Sequence, residues 1–483
     1  MRARNDRAAG VLVGLAAGDA LGAGYEFGPA FEGPVEMKGG GPFNWDPGEW
    51  TDDTQMAICI AEQAATGDLD LDALGDRFIA WASEANDIGN QTRTVLSRAI
   101  DGSDLPVAAA EYFRQRPNHS AGNGSLMRTG PVALAHLGDR DRIAEAAAGI
   151  SAITHADPLA IDACVLWSLA VADAVETGEI PGLKRGLDYL PTDRRDRWAG
   201  IISEAEEQPP GVFTPNGFVV TAFQAAWSSI VHTPIPEDQP SRHLQATLEN
   251  AIRIGNDTDT VAAIAGTLLG AAWGSSAVPL MWKASMHGWP GRTTTRDLVR
   301  LAILTVNGGE DARKGWPSTP DLLPRYEEDY PQQPLAVSLP DDPGVMIGNV
   351  SGTTIADTDV VVSLCRMGSE PVGSAHFDVR LLDEPSPAAN PHLDFILDDT
   401  ARFIAAMRDA GKTVFLHCVR AESRTPTVAA AYLAHRLGIS GSDALDRVRT
   451  VLPTANPNSG FLDALDRINP HDDGDLLPRE ETE

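Results

Sequence analysis

Asn256-Asp257-Thr258-Asp259-Thr260 (NDTDT) runs directly into VAAIAGTLLGAAW, Val261–Trp273, an apolar stretch that reads as a tightly packed helix. Two aspartates at the mouth of such a helix need a reason. Aspartate and threonine are good N-caps and favour the positive end of a helix, but capping uses one such side chain. Upstream, Trp50-Thr51-Asp52-Asp53-Thr54-Gln55 opens a second apolar helix, Met56–Ala65, in the same way. Carboxylates gathered beside apolar helices repel one another and are costly to desolvate unless a cation compensates. The ligands on offer are hard oxygens with no cysteine or histidine nearby, which favours magnesium, manganese or calcium over zinc. The calcium-loop pattern fails, because Val261 stands where a further ligand is required and no glycine follows.

Around these two stretches the chain is long, acidic and ordinary in apolar content. Its 483 residues exceed what one core usually serves, so two domains are expected. A formal net charge of −30 opposes nonspecific binding to nucleic acid phosphates or anionic lipid. The N-terminal apolar stretch Ala8 to Gly18 is too short to cross a bilayer and has no cleavage-site pattern, so no membrane partner and a cytoplasmic location are expected. Cys59, Cys164, Cys365 and Cys418 are far apart and form no CxxC pair, which supports neither a disulfide framework nor a zinc knuckle.

Alanine-rich segments with helical spacing fill the first part: VLVGLAAGDAL, TQMAICIAEQAA, DPLAIDACVLWSLAVADAV and VVTAFQAAWSSIV, besides the stretch quoted above. An all-α region over residues 1–315 follows. Gly10, Gly14, Gly18 and Gly22 recur every four residues and mark a face where another backbone can approach closely. Residues 316–343 hold seven prolines and show no periodicity, the composition of a semi-rigid linker. Beyond it, strand candidates Asp359–Cys365 and Thr413–Cys418 alternate with helical stretches Phe395–Asp409, Thr427–Leu437 and Gly441–Val451. A small three-layer α/β domain over residues 344–470 is expected, followed by an acidic tail, 471–483.

The first region carries, in order, GLAAGDALGAGYE (Gly14–Glu26), WTDDTQM (Trp50–Met56), DIGNQTR (Asp87–Arg93), GNGSLMRTGPVAL (Gly122–Leu134), THADP (Thr154–Pro158) and GNDTDT (Gly255–Thr260). Over roughly residues 7–305 it resembles the ADP-ribosylglycohydrolases. The resemblance implies an all-α fold with two magnesium or manganese ions held by Thr51, Asp52, Asp53, Asp257, Asp259 and Thr260. It also implies a glycosidic ADP-ribose adduct as substrate, commonly on arginine. Glu26 falls where relatives carry a metal-proximal or proton-handling glutamate; Asn123, Gly124, Ser125 and Arg128 match the substrate loop, and His155 lies near the site. Arg128 is equally readable as a structural ion-pair partner. Asn256 departs from the glycine of many relatives, which puts the shape of that loop in question.

The second region contains VFLHCVRAESRT, Val414–Thr425, which fits HCx5R[ST]. That spacing lets the loop amides surround a phosphate at a helix N-terminus and lowers the pKa of Cys418, whose thiolate then attacks phosphorus. Arg424 would grip two phosphate oxygens as a fork and Thr425 would bond the sulfur. His417 completes the set. Over roughly residues 345–465 the stretch resembles the cysteine-dependent dual-specificity and tyrosine phosphatases, which work without metal. Such enzymes need an upstream acid; Asp383, 35 residues before Cys418, fits best, with Asp378 and Glu384 next. Ala421 replaces a usual glycine, Glu422 adds a charge beside the anion site, and Cys365 sits where some relatives place a redox partner for the nucleophile.

The reading that follows is a bifunctional hydrolase acting on an ADP-ribosylated protein or metabolite and on a phosphorylated substrate. The alternatives are a reader of ADP-ribose or phosphate with an inactive second domain, or a hydrolase of a phosphorylated ADP-ribose metabolite.

Overall fold

The computed structural model describes residues 2–310, 323–367 and 374–468. The expected acidic tail and the first part of the expected linker lie outside them. Chain contacts divide the molecule into two units, Met1–Pro317 and Ser318–Glu483.

Among its described residues the first unit is built of helices, with one two-stranded pairing of His287–Gly288 with Thr293–Thr294 and a few isolated bridges. Its centre is a pair of helices, α1 (Arg2–Gly22) and the helix behind NDTDT, here α5 (Thr258–Trp273). Their contact is glycine on glycine. A methyl at Gly14 would lie 2.2 Å from the Gly266 carbonyl oxygen and one at Gly10 would lie 2.0 Å from that of Gly270, so the glycine stripe does bring two backbones together. The two helices run antiparallel, so the end of α1 lies beside the start of α5 at the site, where a methyl on Gly22 would meet the Asp259 backbone at 2.4 Å. Around this pair stand α2 (Asp52–Ala64), α3 (Pro158–Thr177) and α4 (Val219–His232). Local chemistry sets their ends: Asp157 accepts from the Leu159 amide, Pro158 opens α3, and Gly178, at φ 76°, closes it.

One expectation changes here. The N-terminal helix is longer than the apolar stretch Ala8 to Gly18, and both Ala3–Tyr25 and Pro158–Thr177 are long and apolar enough to cross a membrane. Most of each is enclosed by the rest of the unit, 89% and 78% of the apolar window, as befits core helices.

The second unit is an α/β domain with a five-stranded sheet in the order β1-β2-β5-β3-β4, where β1 is Ala336–Ser338, β2 Val345–Asn349, β3 Val360–Ser363, β4 Ala375–Asp378 and β5 Val414–Cys418. β1 is antiparallel to β2; the remaining pairings are parallel. Helices α7 (Leu393–Asp409), α8 (Arg424–Leu437) and α9 (Gly441–Val451) accompany it, close to the sequence expectation. The linker over 316–343 is a partial miss. Leu323–Asp329 forms a short helix, α6, and Ala336–Ser338 supplies the edge strand. Flanking prolines disguised that strand, yet an edge strand of three residues tolerates them because one side of its backbone needs no partner.

Candidate functional site

The acid site forms where α1, α2 and α5 converge. Asp52 and Asp53 open α2, and Asp259 lies in the first turn of α5 with Asp257 just before it. Neither Thr51 nor Asp257, the residues at the cap positions, caps its helix with its side chain. The amides of α2 are met instead by Asp19 of α1: its carboxylate accepts from the Thr51 amide at 3.0 Å, the Thr54 amide at 3.0 Å and the Thr54 hydroxyl at 2.6 Å. Capping is thus done by another helix, and the buried carboxylates of Asp52 and Asp53 are not used for it.

Glu26 reaches the same place through backbone pairing. The Phe27 amide donates to the Asn256 carbonyl at 2.6 Å and the Asn256 amide to that of Gly28 at 2.8 Å. Asn256 accordingly sits at φ 63° and Phe27 at φ 59°. Asparagine is among the residues that accept this left-handed backbone most readily, so replacing glycine keeps the loop shape.

Two carboxylate triads result. Oxygens of Asp19, Asp53 and Asp259 lie within 4.8 Å of one another, as do those of Glu26, Asp257 and Asp259. The hydroxyls of Thr51 and Thr260 both donate to Asp53 Oδ2, at 3.3 and 3.4 Å. Asp52 belongs to neither triad; burial and the charges of Asp87, Asp19 and Asp257 hold its carboxyl well above the usual range. Burial, then neighbouring aspartates, push Glu26 up to about 9. Asp53 Oδ1, Asp259 Oδ1 and Glu26 Oε2 are buried without any hydrogen-bond partner. Orphaned, mutually repelling oxygens of this kind fit a hard divalent cation and little else.

The expected substrate loop divides into two faces. Asn123 joins the site, donating to Asp257 Oδ2 at 2.8 Å and to the Asn216 carbonyl at 3.1 Å. Gly124 lies over the imidazole of His155, where a methyl would come within 3.2 Å of the ring. Ser125 and Arg128 point inward and are fully buried, contrary to a substrate-contact role. Asn123 and Ser125 share one tight turn, and Ser125 Oγ is engaged by Ser151 Oγ at 3.0 Å and Cys164 Sγ at 3.5 Å. Arg128 is not an ion-pair partner among the described residues: it donates to Thr154 Oγ1 at 2.6 Å and stands over the Phe78 ring at 4.5 Å. His155 bonds Thr154 Oγ1 through Nδ1 at 2.8 Å, and burial followed by the Arg128 charge pushes it down to about 3, so it is neutral.

In the second unit, Cys418 ends the central strand β5 and α8 begins at Arg424. The loop between them is tight enough to place Ala421, fully buried, at φ 60°. Asp383 is held against the loop's end by Ser423 Oγ at 2.7 Å and Asn458 Nδ2 at 2.9 Å. Asp378 lies instead beside His376 on β4. Arg424 donates through one arm to the carbonyls of Leu364 and Leu381, at 2.6 and 3.4 Å, while its Nε is buried without a partner. Glu422 pairs with Arg420 at 2.7 Å, which offsets its charge. Two expected contacts differ. Thr425 donates to the Gly348 carbonyl at 3.3 Å rather than to the Cys418 sulfur, and His417 is fully buried behind the loop, out of a substrate's reach. All four cysteines are free and buried, with burial pushing the Cys365 thiol upward.

Comparison with known proteins bears on both units. The family model for ADP-ribosylglycohydrolase matches residues 1–311. The chain belongs to the ADP-ribosylglycohydrolase family. Residues 361–469 match the dual specificity phosphatase catalytic domain. The ADP-ribosylarginine hydrolase Tri1 of Serratia proteamaculans is 29% identical over 287 residues, covering 57% of this chain and 74% of that protein. The ADP-ribosyl-[dinitrogen reductase] glycohydrolase of Rhodospirillum rubrum is 29% identical over 310 residues, covering 62% of this chain and 97% of that protein. A solved structure, an ADP-ribosylglycohydrolase-related protein complex, covers 64% of this chain and 100% of that one, with 29% identity and a TM-score of 0.52.

Within this ADP-ribosylglycohydrolase-family unit, sequence reasoning missed three polar residues. Asp19 was visible as the one acid between Gly10 and Gly22 of the glycine-striped helix. Asp87, in the quoted DIGNQTR, is among the charges that raise Asp52 and Glu26. Asn216 is fully buried; its side chain accepts from the Asp257 amide at 2.9 Å and donates to the Gly255 carbonyl at 3.2 Å. No local pattern announces it.

Proposed function

We propose that the first unit hydrolyses the glycosidic bond of ADP-ribosyl-arginine with two bound divalent ions, magnesium or manganese, and that the second hydrolyses phosphate monoesters through Cys418. The observation that carries the first half is the convergence of the orphaned oxygens of Asp53, Asp259 and Glu26 in a buried cluster beside helix amides that Asp19 already satisfies.

Asp19, Asp53 and Asp259 would hold one ion and Glu26, Asp257 and Asp259 the other, with Thr51 and Thr260 steadying Asp53. Bound there, a divalent cation supplies Lewis-acid polarisation of the oxygens it touches and lowers the pKa of water. Ionised when the cations compensate its neighbours, Glu26 Oε2 would take a proton from the attacking water as the water oxygen bonds the anomeric carbon and the carbon–nitrogen bond breaks, and would pass that proton to the departing guanidine nitrogen. Asn123 orients Asp257, and Gly124 lets the loop backbone pack on the His155 ring.

In the second unit the Cys418 sulfur bonds phosphorus while the ester oxygen leaves with a proton from Asp383. Water then adds to phosphorus and releases the sulfur, returning its proton to Asp383. The unpartnered Nε of Arg424 is the donor a phosphate oxygen would satisfy.

The test is ADP-ribose release from ADP-ribosyl-arginine protein with Mg2+, with Mn2+ and with chelator. Release is expected only with a cation. No release under either cation overturns the arginine-linked reading.

A further inference from the structure

Behind the loop of Cys418 a single buried hydroxyl sits between two imidazoles. Ser363 closes β3, and its Oγ lies 2.7 Å from His417 Nε2 and 2.7 Å from His376 Nε2. The register of three parallel strands produces this: Ser363 pairs with His417 on one side and with Asp378 on the other, and His376, two residues before Asp378, points to the same face. Ser363 and His417 are fully buried and the His376 side chain is 1% exposed. Asp378 Oδ1 stands 3.6 Å from His376 Nε2, Cys365 Sγ lies 4.0 Å from His417 Nδ1, and the Arg424 charge also faces His417.

A hydroxyl has one proton to donate and two lone pairs, so Ser363 can serve both imidazoles at once. Burial pushes His417 down to about 4, so its ring is neutral between Ser363 and Cys365.

We propose that Ser363 and His376 are positioning residues for the Cys418 loop. The chain from His376 through Ser363 holds the imidazole of His417, the residue before Cys418 on β5, in one orientation. That orientation fixes where β5 delivers Cys418 to its loop, leaving the loop amides to face the sulfur and its phosphate. The inference rests on the phosphatase reading above.

The test uses the full chain and does not depend on turnover. The alkylation rate of Cys418 by iodoacetamide is followed peptide by peptide against pH in the native protein and in Ser363→Ala, Ser363→Thr, His376→Leu and His376→Gln. The native midpoint is expected well below the ordinary thiol value of about 8.5. Ser363→Ala and His376→Leu are expected to raise it by about one unit, a roughly tenfold loss of thiolate below the midpoint. Threonine, which keeps the hydroxyl, and glutamine, which keeps an N–H donor, are expected to restore it. Unchanged midpoints in folded Ser363→Ala and His376→Leu overturn the positioning role while leaving the phosphatase reading intact. An ordinary midpoint in the native protein removes both.

Discussion

In the first unit Asp19, Glu26, Asp52, Asp53, Asp257 and Asp259 form one acidic cluster, and the strongest charges each of Glu26, Asp52, Asp53 and Asp259 feels are other carboxylates. In the second, Cys418 has the Arg424 guanidinium beside it and a helix starting beyond it. The chain supplies the counter-charge for one site and omits it from the other. A site that lacks its own counter-charge is open to control by a cation, and a site that contains it is not. The two activities should therefore separate.

The largest effect tests that separation. Asp257→Ala/Asp259→Ala is expected to reduce ADP-ribose release by at least about 10³-fold, some 4 kcal/mol of barrier, while hydrolysis of a simple aryl phosphate is unchanged. Cys418→Ser should give the reverse pattern. Chelator should reproduce only the first. If either variant, in folded protein, silences both activities, the two sites are not the independent devices compared here.

The next effect sharpens the electrostatic half. Asp19 and Asp87 are raised from 3.8 to about 6, in both cases chiefly by burial. They hold protons more tightly folded than unfolded, so their contribution to stability is full below about pH 4 and is lost as pH rises through about 6. In chelator the first unit should melt at lower temperature as pH passes through that window. Mn2+ at a hundred times its dissociation constant should return about 2.7 kcal/mol, mostly at the upper end. Melting curves with and without Mn2+ at pH 4.5 and 7 decide it; an equal cation effect at both would contradict the account.

A third test reaches the scaffold. Gly270→Ala places a methyl 1.9 Å from the Gly10 carbonyl oxygen, backbone against backbone, so the helices must part. About 1–3 kcal/mol of destabilisation is expected for such overpacking, together with weaker ADP-ribose release, since the same pair carries Asp19 and Asp259. The second unit's phosphatase activity should not change. Denaturant unfolding and both assays check this.

How much of this was legible in the sequence depends on how local its cause is. The helices around Val261–Trp273 and Pro158–Thr177 follow from periodicity and caps, and the glycine stripe announced its own contact. NDTDT and WTDDTQ showed that carboxylates exceed what capping needs. What could not be read was who caps instead: Asp19 comes from a helix remote in sequence, and Asn216 is placed by folding alone. The same holds in the second unit. HCx5R fixed the loop, yet the roles of His417 and Thr425 were misjudged because the motif does not say which of its side chains face the sheet. The edge strand Ala336–Ser338 was hidden by its own prolines.

The smallest effect compares the two loops at a single backbone angle. Asn256 and Ala421 both occupy left-handed backbone, at φ 63° and φ 60°. Alanine has no local side-chain hydrogen bond to favour that region and its Cβ crowds the following carbonyl, at a cost of about 1–2 kcal/mol. Glycine removes that strain but loosens the unfolded chain, which takes back about 0.4–1 kcal/mol. Ala421→Gly should thus stabilise the second unit by about 0.5–1 kcal/mol. Asn256→Gly should be near neutral, because asparagine tolerates the angle. Denaturant midpoints for the two variants measure the difference. If Ala421→Gly destabilises the unit, the strain assigned to its loop is absent, and the phosphate cradle owes its shape to the burial of Ala421 rather than persisting in spite of it.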